Sequence, residues 1–196
     1  MSSAHETLER LKACPEAVGW VGDRSPEAAW QECERGDWLL WVSAKIDVPR
    51  PLVVLAACGC ARLALRYVPE GEDRLRVAIE TAEAWARGGP DAPSLDAVRD
   101  TADAANAANA AAYYAAADAA TYAANAAAYY AANAAAYAPA DVVATAAADA
   151  AANAVNARPR GAARRETLKT CADIVRRNIP FAAITEALFA NQKRES

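Results

Sequence analysis

The sequence AANAAAYY occurs at Ala107–Tyr114 and again at Ala123–Tyr130, and it decides the fold class of this chain. A degenerate copy, AAADAATY, lies between the two, and AANAAAYA follows at Ala131–Ala138. These octads belong to an alanine-rich run, Ala102–Ala157, which contains no Gly, Lys or Arg and a single proline, Pro139. Alanine has the highest intrinsic helix propensity, whereas glycine and proline interrupt helices. The run therefore predicts α-helix.

The octad repeat limits how such a helix can be used. Each residue turns the helix by about 100°, so positions eight apart drift by about 80° and the Asn-Tyr stripe winds around the axis. Either the helix is buried on all sides or the run folds back into shorter helices. One helix over Ser94–Ala138 would be roughly 65 Å long, whereas a compact chain of this size has a radius of gyration of about 16 Å. We predict at least two antiparallel helices there, with one break near Ala115–Asp118 and another at Ala138–Pro139.

The rest of the chain also predicts helices. No segment alternates apolar and polar residues over a usable length, which argues against strands. A two-proline linker at Asp47–Pro51 precedes a buried helix, Leu52–Tyr67. An amphipathic helix follows, with Leu75 and Ile79 on its apolar face and Glu80 and Glu83 expected to be solvated.

The predicted fold is all-α, a single-domain multi-helix bundle with closely packed Ala-rich helices. It covers residues 1–196, divided into N-terminal helices (1–93), the Asn/Tyr octad helices (94–157) and a basic C-terminal helical hairpin (158–196).

Charge is unevenly distributed along the chain. The whole chain carries a net charge of −4. Residues 100–157 hold five Asp and no base, whereas residues 158–196 hold nine bases and four acids. This asymmetry suggests intramolecular pairing or a patch for a partner, and the negative total argues against nucleic-acid binding. The N-terminus lacks a signal-peptide core, and the longest apolar stretch is too short to span a bilayer, so we expect no membrane association and a cytoplasmic location.

The sequence offers little for catalysis. His5 is the only histidine, and no phosphate loop or HExxH motif is present. The five cysteines, which include Cys58 and Cys60, lack a metal-binding spacing, so packing is the expected role. We expect no enzyme activity, no metal and no cofactor.

The octads provide the candidate binding residues. Asn125, Tyr129, Asn133 and Tyr137 recur at i,i+4, so neighbouring amides and phenols are within reach of one another. They either fill the gaps between Ala helices or recognise a partner, and Asp103, Asp118, Asp141 and Asp149 would make such a surface acidic. With the basic residues after the run, the candidate binding residues are Tyr113, Tyr114, Tyr122, Asn125, Tyr129, Tyr130, Asn133, Tyr137, Arg158, Arg160, Arg164 and Arg165.

The chain resembles a family of bacterial and phage-borne immunity proteins, all-α proteins of the kind encoded beside polymorphic toxins. The resemblance lies in Ala13–Trp41, Tyr67–Gly88, the Ala-rich middle and Cys171–Leu188. It implies a shared fold and a stoichiometric binder that neutralises its target, and it supplies no catalytic residues.

Three hypotheses about the target remain open. The first is a protein toxin, occluded by a surface that includes the acidic octads. The second is a small nucleotide-type immune signal, sequestered in a Tyr/Asn-lined pocket with the arginines of residues 158–165 near its phosphates. The third is self-assembly into a homo-oligomer through Ala-helix packing. A deep cavity with converging Arg and Tyr would favour the ligand, and a broad flat acidic face would favour the toxin.

Overall fold

A computed structural model describes residues 3–114, 119–136, 147, 150, 153 and 162–194. Within these residues every regular element is a helix and no strand is present, so the all-α prediction is confirmed. The chain divides into two compact units, Met1–Cys33 and Glu34–Ser196. The prediction of one domain over residues 1–196 stays a prediction.

The first unit contains three short helices, α1 (Ala4–Arg10), α2 (Pro15–Val21) and α3 (Pro26–Glu32). Ser3 and Glu6 form a reciprocal capping box at the start of α1. The Ser25 hydroxyl accepts a hydrogen bond from the Ala28 N–H, and Pro26 occupies the first turn of α3.

The second unit contains seven α-helices in its described residues. They are α4 (Gly36–Lys45), α5 (Arg50–Arg62), α6 (Arg74–Arg87), α7 (Leu95–Tyr114), α8 (Ala119–Ala136), α9 (Ala162–Asn178) and α10 (Phe181–Arg194). A 3-10 turn, Leu65–Tyr67, follows α5. None of the described helices combines the length and the hydropathy that crossing a bilayer requires.

Four helices, α5 to α8, form the core of the second unit. Helix α7 packs most extensively against α8, and α6 contacts α5, α7 and α8. Helix α5 also contacts α8, and its other side packs against α9, which in turn packs against α4. The Ser94 hydroxyl caps α7 by accepting from the Ala97 N–H at 3.2 Å.

The Ala-rich run between Ser94 and Ala138 forms two helices, as the octad geometry predicts. Because α8 begins five residues after α7 ends and packs along it, the two helices run antiparallel. The residues predicted to form the breaks, 115–118 and 138–139, lie outside the described residues, so the break positions stay predictions.

Helix α8 is also buried on all sides over part of its length. The five consecutive residues from Ala131 to Ala135 are all buried, and five residues at about 100° each cover every direction around the axis. Both explanations of the octad therefore hold: the run is divided, and α8 is enclosed. Methyl side chains permit this, because they let neighbouring backbones approach closely.

Two glycines mark the closest helix contacts. A Cβ at Gly59 of α5 would lie 2.6 Å from Cγ2 of Ile174 in α9. A Cβ at Gly36, the first residue of α4, would overlap both the side chain and the backbone of Cys171 in α9. At Gly36 the obstacle includes backbone atoms, so only glycine fits there, whereas at Gly59 the obstacle is the side chain of Ile174.

Candidate functional site

The candidate binding residues of the octads that the structure describes lie partly in the core. Asn133 is buried, with 6% of its surface exposed, whereas Tyr129 and Tyr130 are half-buried. The two tyrosine rings contact each other at a centroid distance of 5.3 Å with a tilt of 46°. These residues therefore pack between helices, and at most the tyrosines reach the surface.

Asn109 occupies the same octad position in α7 that Asn133 occupies in α8. Its Oδ1 is buried and has no hydrogen-bond partner among the described residues. Asn109 lies four residues after Ala105, which is fully buried, so both residues are on the face of α7 that packs against the neighbouring helices. The third residue of the octad therefore faces the interface between helices in both described cases, Asn109 and Asn133.

The remaining predicted binding residues are placed less completely. Arg164 is half-buried and Arg165 exposed on α9, whose main contacts are with α4 and α5. The side chains of Tyr113, Tyr114, Tyr122 and Asn125 lie outside the described part of the chain, as do residues Tyr137, Arg158 and Arg160 altogether. The assignment of these residues to a binding site stays a prediction.

The outer side of α7 presents an acidic face, formed by Asp96, Asp100 and Asp103. All three are exposed and recur at helical spacing, so they project from one side of the helix. Asp96 accepts a hydrogen bond from Arg99 Nη1 at 2.7 Å. Within the described residues Asp100 and Asp103 form neither an ion pair nor a hydrogen bond, and Asn106 and Ala107 extend the same exposed surface. The side chains that follow the carboxylates along this side of α7 are therefore small.

A second cluster surrounds Arg50, the first residue of α5. Its Nε donates a hydrogen bond of 3.0 Å to the backbone carbonyl of Ala134 in the last turn of α8. Its guanidinium carbon lies 5.7 Å from the centroid of the Trp85 ring in α6. The described part of α8 ends at Ala136, and an arginine that donates to a carbonyl of the last turn caps the helix there.

The charge of Arg50 is poorly compensated. Its Nη2 is buried without a hydrogen-bond partner among the described residues, and such a group costs about 1–3 kcal/mol. Burial, together with the positive charge of Arg99 in α7, lowers the pKa of Arg50. The N-terminus of α5 adds a further unfavourable field, because the helix dipole is positive there.

Arg50 is not among the candidate binding residues predicted from the sequence. A usable signal exists in Pro49-Arg50-Pro51, because a cation between prolines at a helix start opposes the helix dipole and needs a compensating partner.

The prediction that Glu83 is solvated is wrong. Its side chain is only 8% exposed and bonds Arg62 of α5 at 2.7 Å and Arg87 at 3.0 Å. Burial alone would raise the pKa of Glu83, but hydrogen bonds and charge from Arg62 and Arg87 outweigh it, and the pKa lies below its ordinary value. A carboxylate held by two arginines joins α5 to α6 and is not available as a general acid or base.

The cysteines are packed as small buried residues, with the exception of Cys14, which is exposed. Burial raises the pKa of the Cys58 thiol, and a hydrogen bond with Cys171 followed by burial raises the pKa of Cys60. Among the described residues no group of three or more His, Cys, Asp or Glu could hold a metal ion.

Comparison with protein-family models, curated proteins and solved structures finds no match to this chain.

Proposed function

We propose that this protein is a non-enzymatic binding protein that neutralises a bacterial toxin by stoichiometric binding, with the acidic face of α7 as the docking surface. The observation that carries the proposal is the pair Asp100 and Asp103, exposed and without partners in the described residues. The resemblance to immunity proteins is consistent with this role, and self-assembly gains no support from these carboxylates.

The chemistry of the face suits a basic protein surface. Two carboxylates three residues apart, neither of which has a partner in the described part of the chain, point in nearly the same direction. The small residues next to them let a partner's Lys or Arg approach. Complementary charge of this kind accelerates association and selects the partner. An inhibitor that must intercept a toxin benefits from fast association.

The packing of α7 against its neighbours also favours binding by the acidic face. The opposite side of α7 is buried through Val98, Ala102 and Ala105, and the helix packs against both α6 and α8. A helix held on two neighbours does not need to become ordered on binding, which reduces the entropic cost of association.

The proposal contains no catalytic step. His5 is the only histidine. Its Nε2 lies 3.5 Å from Oε1 of Glu9, and both side chains of this α1 pair are accessible to solvent. The buried carboxylate Glu83 is occupied by two arginines. Neutralisation by occlusion requires one molecule of this protein for each molecule of toxin.

The test is a panel of purified bacterial toxin domains, each titrated with the wild-type protein by calorimetry and assayed for residual toxic activity. We expect one domain to bind with 1:1 stoichiometry and to lose its activity at equimolar protein. The double variant Asp100→Asn/Asp103→Asn should bind that domain at least about tenfold more weakly, mainly through slower association.

The matched control is Asp23→Asn/Glu186→Gln, which removes the same charge at two exposed positions outside α7. It should bind like wild type. Neutralisation at well below one equivalent would indicate an enzyme and overturn the proposal. Unchanged affinity of the α7 variant would remove this face from the interface, and a panel without a single bound domain would count against toxin binding altogether.

A further inference from the structure

We propose that the exposed side of α10 binds a second copy of this chain, so that two α10 helices pair antiparallel across a two-fold axis. This inference goes beyond the proposed function, because it concerns self-association and involves neither the acidic face of α7 nor a toxin. It is also a different contact from self-assembly of the Ala-rich helices, which would use residues 94–157.

The inner side of α10 is held against the second unit. Ile184 and Ala187 are buried, with 5% and 7% of their surfaces exposed. The Nδ2 of Asn191 donates a 2.8 Å hydrogen bond to the backbone carbonyl of Ile46, the residue that follows α4. These contacts fix the orientation of the helix, so its opposite side is presented in a defined direction.

That opposite side is a stripe of five exposed residues, which we call the α10 stripe. At about 100° per residue, its members lie within an arc of about 100° around the helix and point away from Ile184 and Ala187. They are Ala182, Glu186, Phe189, Ala190 and Lys193. Among the large hydrophobic residues that the structure describes, Phe189 is the most exposed, at 46%.

The two charged side chains of the stripe have no partner of their own. Within the described part of the chain, the side chains of Glu186 and Lys193 form neither a hydrogen bond nor an ion pair. They are separated by about 10.5 Å along the axis, which is too far for them to pair with each other. The neighbours of Glu186 one turn away are alanines and Phe189, so α10 itself brings no cation within its reach.

A two-fold axis between Phe189 and Ala190 gives both charges a partner. Glu186 lies three residues before Phe189, and Lys193 lies three residues after Ala190. When two α10 helices run antiparallel about this axis, Glu186 of one copy lies level with Lys193 of the other, and the pair occurs twice. Each Phe189 then packs beside Ala190 of the other copy, where the small side chain lets the helices approach. Such a contact uses the same patch on both copies.

The order of charges favours a second copy over an unrelated protein. A single exposed phenylalanine is common on protein surfaces, but opposite charges flank this one at equal distances from the axis. A uniformly acidic or basic partner would meet a like charge at one end of the stripe.

The size of the contact predicts a weak dimer. Each α10 has 14 residues and is about 21 Å long. A contact between two such helices stays below the roughly 1,200 Å² that stable complexes bury. We therefore expect a Kd on the order of 100 μM.

Sedimentation equilibrium of the full chain between about 5 μM and 1 mM measures the dimer. The weight-average mass should rise with concentration towards twice the monomer mass, and Phe189→Ala should weaken the dimer at least about tenfold. The matched control is Val77→Ala, which shortens a side chain of α6 that is 40% exposed and should leave the dimer unchanged. A wild-type protein that stays monomeric at the highest concentration would overturn the proposal, and so would a dimer that Phe189→Ala does not weaken.

Charge reversal tests the pairing without removing the hydrophobic contact. Glu186→Lys and Lys193→Glu each replace two attractive pairs by two repulsive ones, so each should weaken the dimer about tenfold. The double variant Glu186→Lys/Lys193→Glu restores opposite charges across the axis and should dimerise within about threefold of wild type. A double variant that loses as much affinity as both single variants combined would show that these charges do not face each other.

Cross-linking tests the antiparallel register. In a Cys14→Ser background, where the remaining cysteines are buried, Ala190→Cys places the two new thiols at nearly the same level along the paired helices. Ala182→Cys places them about 22 Å apart along the axis. A short bismaleimide should link the Ala190→Cys variant into dimers and leave the Ala182→Cys variant unlinked. Equal linking of both variants would overturn the antiparallel arrangement.

The toxin titration and the dimer test can fail independently. With this protein at about 10 μM in the toxin titration, a dimer with such a Kd is sparsely populated. The control variant Asp23→Asn/Glu186→Gln therefore still reports on charge outside the acidic face of α7. A monomeric protein would leave the proposed function standing, and an absence of toxin binding would leave the dimer standing.

Discussion

The Nε of Arg50 donates a 3.0 Å hydrogen bond to the backbone carbonyl of Ala134. The bond joins the first residue of α5 to the last turn of α8, which lie 84 residues apart in the sequence. It places a cation favourably at the negative end of one helix and unfavourably at the positive end of the other. Arg50 is therefore held by geometry more than by its charge.

The first prediction distinguishes the hydrogen bond of Arg50 from its charge. The Nε2 of a glutamine stands where Nε stands in arginine, so Arg50→Gln can keep the bond to Ala134 while it removes the repulsion from Arg99. Arg50→Lys keeps the charge but has a methylene at that position. We expect Arg50→Gln to unfold with a free energy close to wild type and Arg50→Lys to lose about 1–2 kcal/mol.

Urea denaturation of both variants measures this difference. Arg76→Lys, on an exposed face, is the control and should change the free energy of unfolding by less than about 0.5 kcal/mol. If Arg50→Lys proved as stable as Arg50→Gln, the planar geometry of the arginine would be irrelevant to the cap.

The fold could be predicted from the sequence because its main determinants are local. The high alanine content of residues 102–157 and the absence of glycine predict helix, and the mismatch between an eight-residue repeat and the helical turn predicts the division into α7 and α8. Ser25 and Ser94 indicate helix starts, because a serine hydroxyl can accept a hydrogen bond from a backbone N–H of the first turn. These signals require no knowledge of neighbouring helices.

The second prediction tests the contact between α4 and α9. Gly36→Ala places a Cβ against the Cys171 side chain and against backbone atoms of residues 171 and 172. Backbone atoms cannot rotate away, so the helices must separate, and we expect a loss of about 2–3 kcal/mol in the free energy of unfolding.

Gly19→Ala is the matched control for this substitution. Gly19 lies inside α2, and a Cβ there meets nothing within 4 Å. Alanine should stabilise that helix by about 0.5–1 kcal/mol. A Gly36→Ala variant as stable as Gly19→Ala would show that the α4–α9 contact is looser than these distances indicate.

The third prediction concerns thiol reactivity. Only thiolates react rapidly, and burial raises the pKa of Cys58 and Cys60. Cys14 is exposed, whereas Cys33, Cys58, Cys60 and Cys171 are buried. A colorimetric thiol reagent at pH 8 should therefore titrate one thiol quickly in the native protein and all five in urea.

Cys14→Ser should abolish the fast reaction and leave the slow reaction of the four buried thiols unchanged. Any fast-reacting thiol in that variant would mean that one of the buried cysteines is reached through local opening.

The candidate site was less predictable than the fold, because it depends on which residues meet. Glu83 was expected to be solvated, since its neighbour Glu80 is exposed and the pattern along α6 does not show that Arg62 of α5 lies opposite. The two prolines around Arg50 predict a linker, and nothing in this local sequence shows that α8 ends beside Arg50. Periodicity reports the face of a helix, whereas ion pairs between helices depend on tertiary packing.

The last prediction uses the buried carboxylate of Glu83 as a probe of acid stability. Arg62 and Arg87 hold the pKa of Glu83 below its ordinary value. A depressed pKa contributes stability that is fully present above the unfolded-state pKa, about 4.3, and is lost as the pH falls through the folded-state value. Glu83→Gln keeps the shape but removes the charge, so it leaves two arginines near a neutral amide.

We expect this variant to lose about 1–3 kcal/mol at pH 7. That is less than a fully buried pair would lose, because Arg62 and Arg87 are themselves 40% and 62% exposed. The difference from wild type should shrink below about pH 4, where the wild-type carboxylate also becomes protonated. Urea denaturation from pH 3 to pH 7 measures both values, with Glu80→Gln as the exposed control. A loss that stayed constant across this range would assign the role of Glu83 to packing, since packing does not titrate.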